Sequence, residues 1–287
     1  MTDPKSAPTV LQIVLGRRLA ALRETAGLTA AEAAKQLRTA PTTITRMEKA
    51  EVALKFANVR ALLEIYEVSK EETQEFLALL DQASESGWWQ SFRDALPSWF
   101  GVYVSLEDAA TQVRVYDPQV VPGLLQTEDY ARAVLQVGLP RQTADVVERR
   151  VGLRTARQEL LTRSSEPPPH LWVVMEETAL RRNVGNQTTM VAQLDRLLRV
   201  AEFPNVTLQV CTFDGGLHPG GFGPFTVFRI PELPDIACID SLSGVHYTED
   251  AQETALYREA LDQMAAYALS ADDTQIFISD VRKEISP

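Results

Sequence analysis

Side chains able to do chemistry are few in this chain of 287 residues. Three are histidines, His170, His218 and His246, and two are cysteines, Cys211 and Cys238. No pair of them has the HExxH or CxxC spacing that presents two ligands to one metal ion. Both cysteines fall in apolar runs that read as strands, where a thiol is a small core group rather than a nucleophile. Glu176 and Glu177 follow the strand-like run LWVVM, and Asp240 lies in another, but a catalytic carboxylate pair needs a separation that a linear sequence does not state. The loop GGLHPGGFGP at 215–224 is neither GxGxxG nor GxxxxGK[ST]. Its glycines are expected to allow a tight turn or a close backbone approach. These residues predict no enzyme, no cofactor and no metal. A cleft lined by Trp88, Trp99, Glu176, Glu177 and His218 is where a small ligand or a partner protein would bind. The plain alternative is a loop that only joins two strands.

The other chemistry available is recognition of a duplex, and it needs particular elements to position it. The stretch GLTAAEAAKQLRTAPTTITRME at 27–48 reads as two short helices joined by a tight turn. Thr29 caps the first, over Ala30 to Leu37, and its alanines leave a thin surface that another helix can approach. Pro41 suits the first position of the second. Ile44 and Met47, at i and i+3, turn inward and leave Pro41, Thr42, Thr43, Thr45 and Arg46 for solvent. A preceding helix, about 13–25, supplies Leu15, Leu19 and Leu22 to a core. A following one, about 57–66, supplies Val59, Leu62, Leu63 and Tyr66. Ser69 and Glu72 have the spacing of a capping box that opens a fifth helix, to about Ser84. Two helices at this spacing, the second polar and outward, predict a helix-turn-helix.

Residues 14–68 resemble the lambda-repressor-like, Xre-type helix-turn-helix domain. Arg23, Gly27-Leu28-Thr29, the alanine-rich second helix and PTTITRME at 41–48 carry the resemblance. It implies that Arg23 and Glu48 form a structural ion pair and that Pro41, Thr42, Thr43 and Arg46 face base edges. Three positions depart from the pattern. Ala30 stands where a Gln often touches phosphate, Arg38 where the turn usually has Gly, and Ala40 where Ser or Thr usually caps the recognition helix. Arg38 is expected to offset part of that loss with a phosphate contact.

The net charge of −11 argues against nucleic acid only until its distribution is considered. Residues 1–62 hold ten Lys/Arg and five Asp/Glu, whereas the remainder holds 18 and 34. Phosphate binding needs a local basic face, not a basic protein. There is no apolar run of about 18 residues, so no membrane span is expected. Two cysteines fit a reducing cytoplasm.

Three parts are expected: a flexible arm at 1–12, an all-α helix-turn-helix domain at 13–85, and a larger α+β domain at 86–287 with an aromatic junction, GWWQSFRDALPSWFGVY, at 87–103. In the last part, strands are expected at 112–116, 171–175, 206–211, 225–230 and 236–242. Helices are expected after Thr127, from about 143 to 162, 186 to 202 and 249 to 269, the last capped by Thr248, with a final amphipathic helix after Asp272. The arginines of the 143–162 helix are expected to form a solvated or salt-bridged face.

A second resemblance runs over 116–257. YDPxxVPGLLQT at 116–127, RxxRQxxL at 154–161, LWVVMEExxLRR at 171–182, PNVTLQV at 204–210 and the segment 213–228 around His218-Pro219-Gly220 are similar to the uncharacterised C-terminal domain of actinobacterial Xre-type regulators of the WhiJ-like group. It implies a transcriptional regulator, many of whose relatives are encoded beside a small partner protein. The expected partners are double-stranded DNA, a second copy in a homodimer and a small partner protein, with no membrane. The alternative is an antitoxin-like or scaffold module with little DNA binding of its own.

Overall fold

A computed structural model describes residues 10–84, 91–92, 100–138, 141–164, 167–231, 233–241 and 244–285. The chain divides into two compact units, an all-α one holding the first six helices and a mixed one from the first strand onward. Of the arm expected at 1–12, residues 1–9 lie outside the described residues, as do Trp88, Trp89 and Trp99 of the aromatic stretch, whereas residues 10–12 already belong to the first helix, Val10–Thr25.

In the first unit the helices are α1 (Val10–Thr25), α2 (Ala30–Leu37), α3 (Pro41–Glu48), α4 (Phe56–Ile65), α5 (Lys70–Ser84) and α6 (Phe100–Ala109). Their core is Leu15 and Leu19 of α1, Ala33 and Ala34 of α2, Ile44 and Met47 of α3, Val59, Leu62 and Leu63 of α4, and Phe76 and Leu80 of α5. Local chemistry sets the boundaries. The Thr29 hydroxyl accepts from Glu32 N, and the Glu32 carboxylate accepts from Thr29 N at 2.8 Å, a complete capping box. Ser69 caps Glu72 N as expected, but the Glu72 carboxylate takes a hydrogen bond from Arg18 of α1 instead, tying α5 to α1.

Four helices of this unit end the same way. Leu28 N reaches Arg23 O, Thr39 N reaches Ala34 O, Glu51 N reaches Arg46 O and Val68 N reaches Leu63 O. Each return places one residue in the left-handed region, but only Gly27 is a glycine; Arg38, Ala50 and Glu67 sit at φ 57°, 52° and 56°. A non-glycine residue there costs about 1–2 kcal/mol. Gly16 does a different job. A Cβ on it would come within 2.5 Å of Glu48 O, so α1 and the end of α3 approach closely only because this position is bare.

The second unit is built on one six-stranded sheet. Its strands are β1 (Gln112–Asp117), β2 (His170–Glu176), β3 (Val206–Cys211), β4 (Phe225–Arg229), β5 (Ile236–Ser241) and β6 (Gly244–Thr248), in the order β3-β2-β1-β4-β5-β6. The first three are parallel, and β4 to β6 follow as an antiparallel meander. Parallel neighbours need crossovers, and the chain supplies α7 (Glu128–Gly138) and α8 (Ala144–Arg157) between β1 and β2. Between β2 and β3 it supplies α9 (Glu177–Arg181) and α10 (Gln187–Ala201). Two helices close the chain, α11 (Ala251–Tyr267) and α12 (Ala271–Ile285). Leu261 and Met264 of α11 cover one face of the sheet, against Tyr116, Val174, Cys211, Phe225, Val227 and Ala237. The path runs from β1 to one side and later returns to its other side, so the strand order switches beside β1. In such sheets the carboxyl ends of the parallel strands at a switch point are where ligands bind.

Several expectations change here. Asp250, not Thr248, caps α11, accepting from Gln252 N and Glu253 N. The helix expected over 143–162 stops at Arg157 and finishes as a 3-10 turn. Its arginines are not all on a solvated face: Arg157 is buried, and Arg154 turns inward to donate to Gln126 Oε1 at 2.6 Å.

Candidate functional site

Two constellations deserve the name of site, one in each unit. In the first, α3 buries Ile44 and Met47 and leaves Pro41, Thr42 and Arg46 exposed, with Thr43 half-buried. Arg38 is exposed in the turn just before it. Ala40 makes no side-chain cap bond, so the first turn of α3 starts without the usual acceptor. Arg46 lies 3.7 Å from Glu51, with both side chains about half exposed, a contact weak enough for a phosphate or base edge to displace. What holds α3 in place is largely hidden from solvent. Arg23 donates through Nε and Nη2 to the two Glu48 carboxylate oxygens at 2.6 and 3.2 Å, and through Nη1 to Leu28 O at 2.8 Å. One guanidinium therefore joins α1, the loop before α2, and α3.

In the second unit three neighbouring strands end on polar groups. Tyr116, Glu176 and Cys211 lie on the same face of β1, β2 and β3, and Glu176 and Cys211 are direct partners in the register. His218 folds back over them from the glycine-rich loop. Glu176 Oε1 accepts from the Tyr116 hydroxyl at 2.7 Å and lies 2.8 Å from His218 Nε2. Gly220 N donates to His218 Nδ1 at 3.2 Å, which assigns the ring proton to Nε2. Gly220 is packed so tightly on Tyr116 that a Cβ would lie 2.3 Å from its hydroxyl. Burial, with the Tyr116–Glu176 hydrogen bond, raises the Tyr116 hydroxyl far above its ordinary range. Burial, then Glu176, pushes the Cys211 thiol up to about 12. Glu176, Cys211 and His218 place their ligand atoms within 4.8 Å of one another.

The candidate cleft residues separate. Glu176 and His218 meet. Glu177 instead accepts from Arg181 Nε at 2.6 Å and from Phe213 N at 3.0 Å. The adjacent carboxylates thus hold the 212–224 connection at two points, Phe213 near its start and His218 at its middle. Trp88 and Trp99, the remaining cleft candidates, lie outside the described residues. His170 opens β2 at the opposite end from Glu176, and His246 is exposed on β6. Sequence reasoning missed Tyr116 and Cys211 as members. Their only prior signal is that each ends a strand whose neighbours in the sheet were unknown.

Beside this cluster, the turn after β1 carries a second polar group. Asp117 accepts from Gln119 N and Val120 N, and Gln126, Gln158, Arg154 and Gln193 bond the 121–127 segment together. Burial raises the Asp117 carboxyl to about 6 from 3.8, with Asp240 adding to the rise and Arg154 opposing it. The native state therefore holds this proton more tightly than the unfolded chain. The Asp117 contribution to stability is fully present below about pH 4 and is lost as pH rises through about 6. Asp117→Asn keeps an acceptor for both N–H groups. It is expected to stabilise the second unit at pH 7 by on the order of 1–2 kcal/mol and to flatten its stability between pH 4 and 6, measured by denaturant unfolding at each pH.

The fold has a two-part architecture, an all-α unit followed by a mixed α+β unit. Comparison with protein families gives each part its class. Residues 14–76 match the family described as "Helix-turn-helix domain", here of the Xre type. Residues 100–280 match "Domain of unknown function (DUF5753)", and the chain belongs to that family. No curated protein matches the chain, and no solved structure does. No helix among the described residues is long and apolar enough to cross a membrane.

Proposed function

We propose that the chain is a sequence-specific, DNA-binding transcriptional regulator of the actinobacterial WhiJ-like group. It works in the cytoplasm as a homodimer, and its C-terminal unit controls it through a ligand or a small partner protein. The observation that carries this reading is the exposed polar face of α3, held rigidly by the Arg23–Glu48 pair on a unit with local positive charge. In this reading Arg38 holds phosphate, Pro41, Thr42 and Thr43 lie along the groove, and Arg46 pairs with a guanine. A dimer would set two such helices one DNA turn apart, about 34–36 Å. Control through the C-terminal unit is supported by its clamped loop, which holds two large apolar side chains, Phe213 and Leu217, in solvent.

Arg46→Ala is expected to cost about 1–3 kcal/mol of discrimination at one base position while leaving non-specific binding nearly intact. Selection from random duplexes followed by competition binding measures this. An unchanged site preference would remove Arg46 from the reading surface. The alternative, an antitoxin-like or scaffold module, draws on the uncapped start of α3 at Ala40 and on the acidic remainder of the chain. It predicts no salt-dependent affinity for any duplex.

A further inference from the structure

We propose that Glu176, Cys211 and His218 form a binding site for a divalent transition-metal ion, best suited to zinc, at the carboxyl ends of the parallel strands. This site does not depend on the DNA-binding reading. The donor set is one carboxylate oxygen, one sulfur and one imidazole nitrogen, and zinc accepts all three in a single tetrahedral shell. Two of the three donors are preorganised, because Glu176 and Cys211 face each other across the β2–β3 register and end their strands together. The third comes from a loop tied to the same strand end at His218 and, through Phe213, to the residue after it. Ligand atoms around a tetrahedral zinc ion stand about 3.3–3.8 Å apart, from its bond lengths. All three atoms already lie within 4.8 Å of one another.

Charge points the same way. Glu176 is largely buried and, among the described residues, has no lysine or arginine partner. Its two contacts are the Tyr116 hydroxyl and His218 Nε2. A carboxylate withdrawn from water without a cation is costly. A metal ion supplies that cation: the Cys211 thiol proton passes to solvent, and the single ring proton of His218 is exchanged through solvent from Nε2 to Nδ1, freeing Nε2 to ligate. Nδ1 then carries the ring proton, so the Gly220 peptide must turn away from it, in a segment where Gly220, Gly221 and Gly223 allow rotation. Three protein ligands leave a fourth position, and the Tyr116 hydroxyl, already bonded to Glu176, stands beside the cluster to fill it or to hold a water there.

The test is titration of the full chain with Co2+ and with Zn2+. One equivalent of Co2+ is expected to give a thiolate-to-cobalt charge-transfer absorption that zinc abolishes. Cys211→Ser is expected to lose that absorption, and Cys238→Ser to keep it. His218→Gln is expected to weaken zinc binding, measured against a chromophoric chelator, by more than the 10–100-fold (about) that loss of an outer-shell partner costs. Circular dichroism of each metal-free variant checks folding, and His218→Gln, a loop change, carries the test if Cys211→Ser does not fold. Absence of one-equivalent binding to the folded wild-type chain overturns the site. So does a charge-transfer band that survives Cys211→Ser, or zinc affinity unchanged in His218→Gln.

Discussion

Glu48→Ala is expected to destabilise the helix-turn-helix unit by about 3 kcal/mol and to abolish specific DNA binding with it. The side chains of Arg23 and Glu48 are only 12% and 10% exposed, so removing the carboxylate leaves a guanidinium with little access to water. Its remaining contacts, Leu28 O and an exposed Glu24, do not replace a two-pronged partner. Losing the pair frees α3 from α1, and the start of α3 has no side-chain cap to resist fraying. Hydrogen exchange resolved by segment is the measurement: protection should fall across α1 and α3 and stay unchanged in the sheet of the second unit. Glu48→Gln, which keeps an acceptor, should cost clearly less. Equal protection in Glu48→Ala and the wild type would show that helix packing alone positions α3.

The second large effect belongs to the other unit. Gly220→Ala is expected to cost about 2–3 kcal/mol, because the added carbon falls 2.3 Å from the Tyr116 ring and hydroxyl and 2.7 Å from Met264 Sδ. Tyr116 cannot retreat, since it is buried under α11 and its hydroxyl is committed to Glu176. The loop should therefore lift, taking His218 off Glu176. Gly221 is the internal control: a Cβ there meets nothing within 4 Å, so Gly221→Ala should change stability by no more than about 0.5 kcal/mol. Unfolding of the two variants side by side decides it. If both behave alike, the contact between Gly220 and Tyr116 is not a constraint.

How far the sequence could be read depended on whether the physics was local. Thr29 with Glu32, Pro41 at a helix start, and Ile44 with Met47 are signals contained within one or two turns, and α2 and α3 appear at their expected residues. α6 lacked such a signal. Its residues FGVYVSLEDA are apolar on most sides and run straight on from the aromatic stretch, so no helical stripe stands out. β6, GVHYT, is a half-exposed edge strand with no clean alternation. Arg157 falls in a run where Asp145, Glu148 and Glu159 are mixed with arginines, a pattern that reads as a solvated or salt-bridged face. It is buried because Gly123 and its neighbours fold back under α8, a contact made 34 positions away in the chain. The same limit applies to the site. Glu176 and His218 were legible as residue types, but their meeting with Tyr116 and Cys211 depends on a strand order that local patterning does not encode.

In the proposed function α3 is the surface that reads a duplex. Its most direct test is binding of the full chain to duplexes recovered by selection from a random pool, followed across salt concentration for the wild type and Arg46→Ala. A duplex-reading α3 is expected to give a recovered sequence motif, an affinity that falls steeply with salt, and loss of preference at a single base position in the variant. Failure to enrich any sequence, with no salt-dependent binding at low ionic strength, would contradict it.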